Sequence, residues 1–226
     1  MKKIILLLTI ITCSAFSQRK VQFGLKGGLN LAKVFVTDAD FYQDIKYKTG
    51  FNIGGLVEIP LNEYVSFQTE IIYSNQGYQY NEKSSNNVNL INYNLENNAT
   101  INYLTFPFLM KFYATKKFSI EGAFQFGILL KHSVLVKQTL GENFYINPAI
   151  IPVENEIDVD KKELTQKYDY SIGIGTSYKF TKNIFGTFRY SESFLNINNK
   201  NPYISYDDKK MLFNRVFNLS VGYQFD

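Results

Sequence analysis

Eight stretches of this chain alternate apolar and polar side chains, and the gaps between them run long, short, long, short to the end. An alternation of period two is the mark of a strand with one face in an apolar medium and one face elsewhere. Alternating gap lengths add a second constraint. Strands joined in that way run up and down around a sheet, with tight turns at one end and long loops at the other.

The stretches cover residues 22–31, 50–60, 65–80, 101–113, 118–134, 168–180, 184–196 and 215–225. In the first, Phe23, Leu25, Leu29 and Leu31 share a face, opposed by Gln22, Lys26 and Asn30. The last is the most regular, with Phe217, Leu219, Val221, Tyr223 and Phe225 set against Asn218, Ser220, Gly222 and Gln224. Short gaps fall at 61–64, 114–117 and 181–183, and long ones at 32–49, 81–100, 135–167 and 197–214. Structureless loops of the latter length are uncommon in compact soluble domains.

Residues 1–17 read as a secretory signal: Lys2 and Lys3, an apolar run over 4–11, then Ala15 and Ser17 ahead of a cleavage before Gln18. That run is shorter than the roughly 20 apolar residues a membrane helix needs, and no later segment reaches this length. Residues 18–226 are therefore expected to form one domain that meets the membrane through strands. Cys13 lies in the leader, so the mature chain holds neither thiol nor disulfide. A lipid anchor on Cys13 is disfavoured by Thr12, which stands where such signals place a small residue.

Lipid offers no hydrogen bonds, so strands cross it only in a closed sheet. The prediction is an all-β, eight-stranded antiparallel up-and-down transmembrane β-barrel, with short periplasmic turns and long extracellular loops, in the outer membrane of a Gram-negative cell. A soluble lipocalin-like barrel would use the same alternation with its apolar face turned inward around an apolar ligand. The chain carries a net charge of +4, of which Lys2 and Lys3 supply two, so the mature protein is near +2 and has no basic face for nucleic acid.

Several segments resemble the PorT-like outer-membrane beta-barrel family of Bacteroidetes. They are the opening strand Phe23-Gly24-Leu25-Lys26-Gly27-Gly28-Leu29-Asn30, the third strand from Phe67 to Gly77, and Tyr103-Leu104-Thr105-Phe106-Pro107. The resemblance spans the mature chain and implies an eight-stranded outer-membrane barrel. It departs at the end, where Asp226 follows Phe225 although such barrels commonly finish on Phe. The family's namesake is tied to type IX secretion and gliding, a role not transferable on resemblance alone.

Ionisable residues at inward parity are Lys26, Glu58, Glu70, Lys111, Glu121, Lys131, Asp169, Lys179 and Arg189. Eight strands leave an interior just wide enough for side chains to fill. These charges are expected to form an ion-pair network plugging the lumen, with Glu70 and Lys111 as the pair to test; the alternative is a narrow transport pore. Arg215 has outward parity, and so does His132, which shares the face of Ile128 and Leu130 and is expected in the outer girdle.

No enzyme is expected. His132 and the adjacent Ser133 point to opposite faces of a strand, and no other partner for a catalytic histidine is marked. One mature histidine and no cysteine argue against zinc. Asp38, Asp40, Asp44, Asp158, Asp160 and Glu163 lack the Gly and distal Glu of a calcium loop and read as solvated loop charges. Gly24, Gly27 and Gly28 precede no helix, as a phosphate loop would require. No cofactor is expected. The expected partners are outer-membrane lipid, the barrel-assembly machinery during insertion, and an extracellular or secretion-complex protein met by the loops.

Overall fold

A computed structural model describes residues 20–36, 45–86, 91–140, 154–197 and 211–225. The leader and the acidic residues Asp38, Asp40 and Asp44 lie outside them. The strands are β1 (Gln22–Val36), β2 (Lys46–Pro60), β3 (Val65–Asn86), β4 (Ile91–Tyr113), β5 (Phe118–Leu140), β6 (Glu154–Asp160), β7 (Tyr168–Lys179), β8 (Ile184–Ser193) and β9 (Leu212–Gln224).

Eight of them close a ring in the order β1-β2-β3-β4-β5-β7-β8-β9, every pair antiparallel. The first strand meets the last over the register Gly24↔Gln224 to Val36↔Leu212, so no edge is left in the ring. The three short turns are each shaped by one side-chain oxygen. Asn62 Oδ1 accepts from the N–H groups of Tyr64 and Val65, both at 2.8 Å. Thr115 Oγ1 and Thr181 Oγ1 do the same for Phe118 and Ile184, each at 2.9 Å. Short polar side chains that bond backbone two or three residues ahead are what such turns use.

The burial pattern is that of a barrel in lipid. Ile53, Ile172, Ile174 and Leu219 are about 60% exposed, whereas Glu58, Glu70 and Glu121 are at most 1% exposed. A water-soluble barrel distributes these residues the other way round, which excludes the lipocalin-like arrangement. Tyr64, Tyr178, Tyr223 and Phe225 stand exposed around the end that carries the turns, in the manner of an interfacial aromatic girdle.

At the other end the strands run further than the alternation predicts. β3 and β4 continue as a hairpin to Asn86↔Ile91, and β5 reaches Leu140 beside it. Most of the 81–100 loop is therefore sheet, and so are 135–140 and 154–160 within the 135–167 loop. β6 pairs with β5 from Ser133↔Asp160 to Thr139↔Glu154, taking the place that β7 occupies lower on β5. The outward side chains at this level of β4 are Asn98, Thr100 and Asn102, so this extension lies beyond the hydrocarbon. Free of lipid, it no longer needs an apolar outer face, so the apolar alternation stops short of it.

A bulge in β5 reverses its parity. Tyr103 opposes Leu129 and Asn102 opposes Lys131, leaving Leu130 as the extra residue. Beyond it Lys131 points outward and is exposed, while His132 turns inward and is buried. Both sequence expectations fail here for one reason: an inserted residue exchanges the two faces of everything that follows.

Candidate functional site: the sealed lumen

The interior is organised in layers along the barrel. Nearest the turns, the Glu58 carboxylate accepts from Ser66 Oγ at 2.7 Å, Gln224 Nε2 at 2.9 Å and the Tyr113 hydroxyl, and pairs with Lys111 Nζ at 3.2 Å. Beyond it, Glu70 lies 2.7 Å from Lys26 Nζ and accepts from Arg189 NH1 and NH2 at 3.1 and 3.0 Å. Arg189 Nε also donates to Glu121 at 2.8 Å. Gln68 joins the two groups, its Nε2 donating to Glu70 at 2.6 Å and its Oε1 accepting from Lys111 at 3.1 Å.

These six groups are three basic and three acidic side chains, so the formal charge of the network sums to zero. That balance matters more than any single bridge. A buried ion costs several kcal/mol to desolvate, and the loss is recovered only with good geometry and satisfied hydrogen bonds. Gly175 makes part of the geometry possible. It sits on β7 between Glu121 of β5 and Arg189 of β8, and a Cβ there would lie 2.9 Å from Glu121 Oε1 and 2.6 Å from the Phe188 carbonyl.

An amide layer follows. Asn52 Nδ2 and Asn218 Nδ2 both donate to Asn30 Oδ1, at 3.1 and 2.9 Å, Asn30 Nδ2 donates to Ser74 Oγ at 2.9 Å, and Ser220 Oγ donates to Asn52 Oδ1 at 2.9 Å. Between this layer and the charges is a cavity of about 20 Å³ lined by Lys26, Glu70, Gln76 and Arg189. It has room for a water molecule and nothing larger. The end carrying the long strands is closed by an apolar plug built around Val34, Tyr78, Ile101, Tyr103, Leu129 and Val134.

The nine charged positions thus divide. Lys26, Glu58, Glu70, Lys111, Glu121 and Arg189 meet in the lumen; Glu70 and Lys111 are not partners but are linked through Gln68. Lys179 is half-buried at the turn end, its Nζ 5.5 Å from the centre of the Tyr113 ring. Asp169 is buried apart from the network, where the Ser193 hydroxyl donates to it. Lys131 is outside. Gln68, Ser66, Tyr113 and Gln224 were missed because they are neutral, although each has the inward parity of its strand.

His132 is held near the plug. Thr165 Oγ1 donates to the Lys161 carbonyl at 2.7 Å and so accepts from His132 Nδ1–H at 2.6 Å. Burial, aided by the Lys161 charge, pulls the imidazole down to about 4. On the outer surface, Arg215 Nε and NH2 both donate to Glu192 Oε1, at 2.8 and 2.6 Å, as the outward parity of Arg215 requires. Among the described residues no group of His, Cys, Asp and Glu has the arrangement of a metal site.

Residues 16–199 match the family described as "Outer membrane protein beta-barrel domain". The chain belongs to that family, and it is an outer-membrane protein. Among solved structures it is similar to Ail, the attachment invasion locus protein of Yersinia pestis, at 13% identity and a TM-score of 0.43, covering 92% of this chain and 100% of that one. Neisserial surface protein A is similar at 11% identity and a TM-score of 0.42, with the same coverage. The outer membrane protein OprG from Pseudomonas aeruginosa is similar at 12% identity and a TM-score of 0.41, covering 90% and 95%. No curated protein matches the chain.

Proposed function

We propose that this protein is a non-conducting outer-membrane scaffold whose role is carried by the segments beyond the membrane, where it binds a partner. One observation carries this reading: six salt-bridged charges fill the lumen and leave a cavity of about 20 Å³. An eight-stranded ring has no spare diameter once its interior side chains are packed. A structural role rather than catalysis fits the engagement of His132 Nδ1 with Thr165, whose hydroxyl is in turn bound to the Lys161 carbonyl.

In this reading residues 1–17 are removed on export, and the alternating aromatics of the last strand, Phe217 to Phe225, address the barrel-assembly machinery. The resemblance of the first, third and fourth strands to PorT-like barrels supports a Bacteroidetes source and a protein partner, for which a secretion complex is one candidate. Planar-bilayer recording on the folded protein tests the proposal. A silent bilayer is expected; discrete conductance steps that change when Glu70 or Lys111 is neutralised would establish the narrow pore instead.

A further inference from the structure

β6 pairs with β5 along one edge and with no described strand along the other. Its backbone therefore presents a row of donors and acceptors beyond the membrane, the template onto which an added strand builds. The two faces of β6 differ. Ile157 and Val159 stand opposite Val136 and Val134, so they continue the inward apolar face of the sheet, yet Ile157 is 59% and Val159 37% exposed. Glu156, Asp158 and Asp160 lie on the other face, all exposed. Lys137, which stands opposite Glu156, reaches it only at 4.0 Å with both side chains more than half exposed.

From this arrangement we infer that β6 is a docking strand for an extended peptide segment in which cationic and apolar residues alternate. Its cations lie beside Glu156, Asp158 and Asp160, its apolar residues extend the Ile157–Val159 stripe, and its backbone completes the ladder. A second copy of β6 does not fit, because pairing edge to edge would set carboxylates against carboxylates. The inference rests on the reading of the protein as a scaffold that binds beyond the membrane, and it names the partner's chemistry.

The test uses the full folded barrel in detergent and a labelled seven-residue peptide alternating Lys with Val, followed by fluorescence anisotropy at physiological salt. Saturable binding is expected. It should weaken at least about tenfold for the E156K/D158K double variant, which should instead take up the peptide alternating Glu with Val. N-methylation of alternate peptide residues should remove binding by deleting ladder donors. No binding to the unaltered protein overturns the inference. So does equal binding of a peptide with its Lys and Val segregated, or of the N-methylated one, since either would mean charge attraction without strand addition. Bilayer recording on the same preparation keeps the two readings separate, because a silent barrel that ignores the peptide refutes only the docking strand.

Discussion

Arg189 on β8 and Glu70 on β3, 119 residues apart in sequence, face each other across the barrel with both guanidinium NH groups on the two carboxylate oxygens, at 3.1 and 3.0 Å. Arg189 also holds Glu121, so one side chain neutralises carboxylates from two strands. Replacing it with Met leaves two buried carboxylates facing Lys26 alone. Breaking such a set costs about 3–5 kcal/mol. The R189M variant should lose its heat-resistant gel mobility at a markedly lower temperature, and R189M/E121Q, which restores the charge balance, should recover part of the loss. Equal stability of R189M and the parent would refute the role given to charge balance.

Lys26 and Lys131 look alike in the alternating pattern but lie on opposite sides of the wall, 4% exposed in one case and pointing outward in the other. Lys26→Met should therefore destabilise by a few kcal/mol, in the range for a broken buried pair. Lys131→Ala should stay within about 0.5 kcal/mol, as surface changes do. Urea unfolding midpoints of the two variants compare them directly, and similar losses would contradict the bulge at Leu130.

Gly77 has φ +151°, and a Cβ at that position would come within 2.0 Å of the Ala99 carbonyl oxygen. Both facts exclude a side chain. Gly77→Ala should cost about 1–3 kcal/mol for the backbone conformation, with the clash against β4 added. The midpoint of refolding into detergent measures it; an unchanged midpoint would mean that β3 and β4 separate there at no cost.

His132 should make stability fall on acidification. Its folded value, about 4, lies below the unfolded value of 6.5, so as pH drops from about 6.5 toward 4 the unfolded chain takes up a proton that the folded one refuses. The stabilisation is complete above 6.5 and is lost across that window, a few kcal/mol at most. Asn in place of His132 keeps a donor for Thr165 and should flatten this part of the pH profile. A profile with the same slope in His132→Asn would assign the acid sensitivity elsewhere.

The charged lumen was legible as a set of residues but not as a set of pairs. Parity alone puts Lys26, Glu58, Glu70, Lys111, Glu121 and Arg189 on one face, because a strand's side chains alternate whatever the partner. Which cation meets which carboxylate depends on how far each strand is staggered around the ring. That stagger sets Arg189 against Glu70 and leaves Lys111 to Glu58. β6 escaped for a different reason: its alternation of acidic and apolar residues over 156–160 is clear, but it is short and meets water rather than lipid.

The chain by itself determined the number of strands in the ring, their order and the face each turns to the membrane. Those follow from local spacing and from the requirement that every backbone group be paired in hydrocarbon. Only the tertiary structure decided the rest: the bulge that exchanged Lys131 and His132, the ion pairs across the lumen, the plug above them and the sheet that rises past the bilayer. Each depends on contacts between residues far apart in sequence, and a one-residue shift in register is enough to change them all.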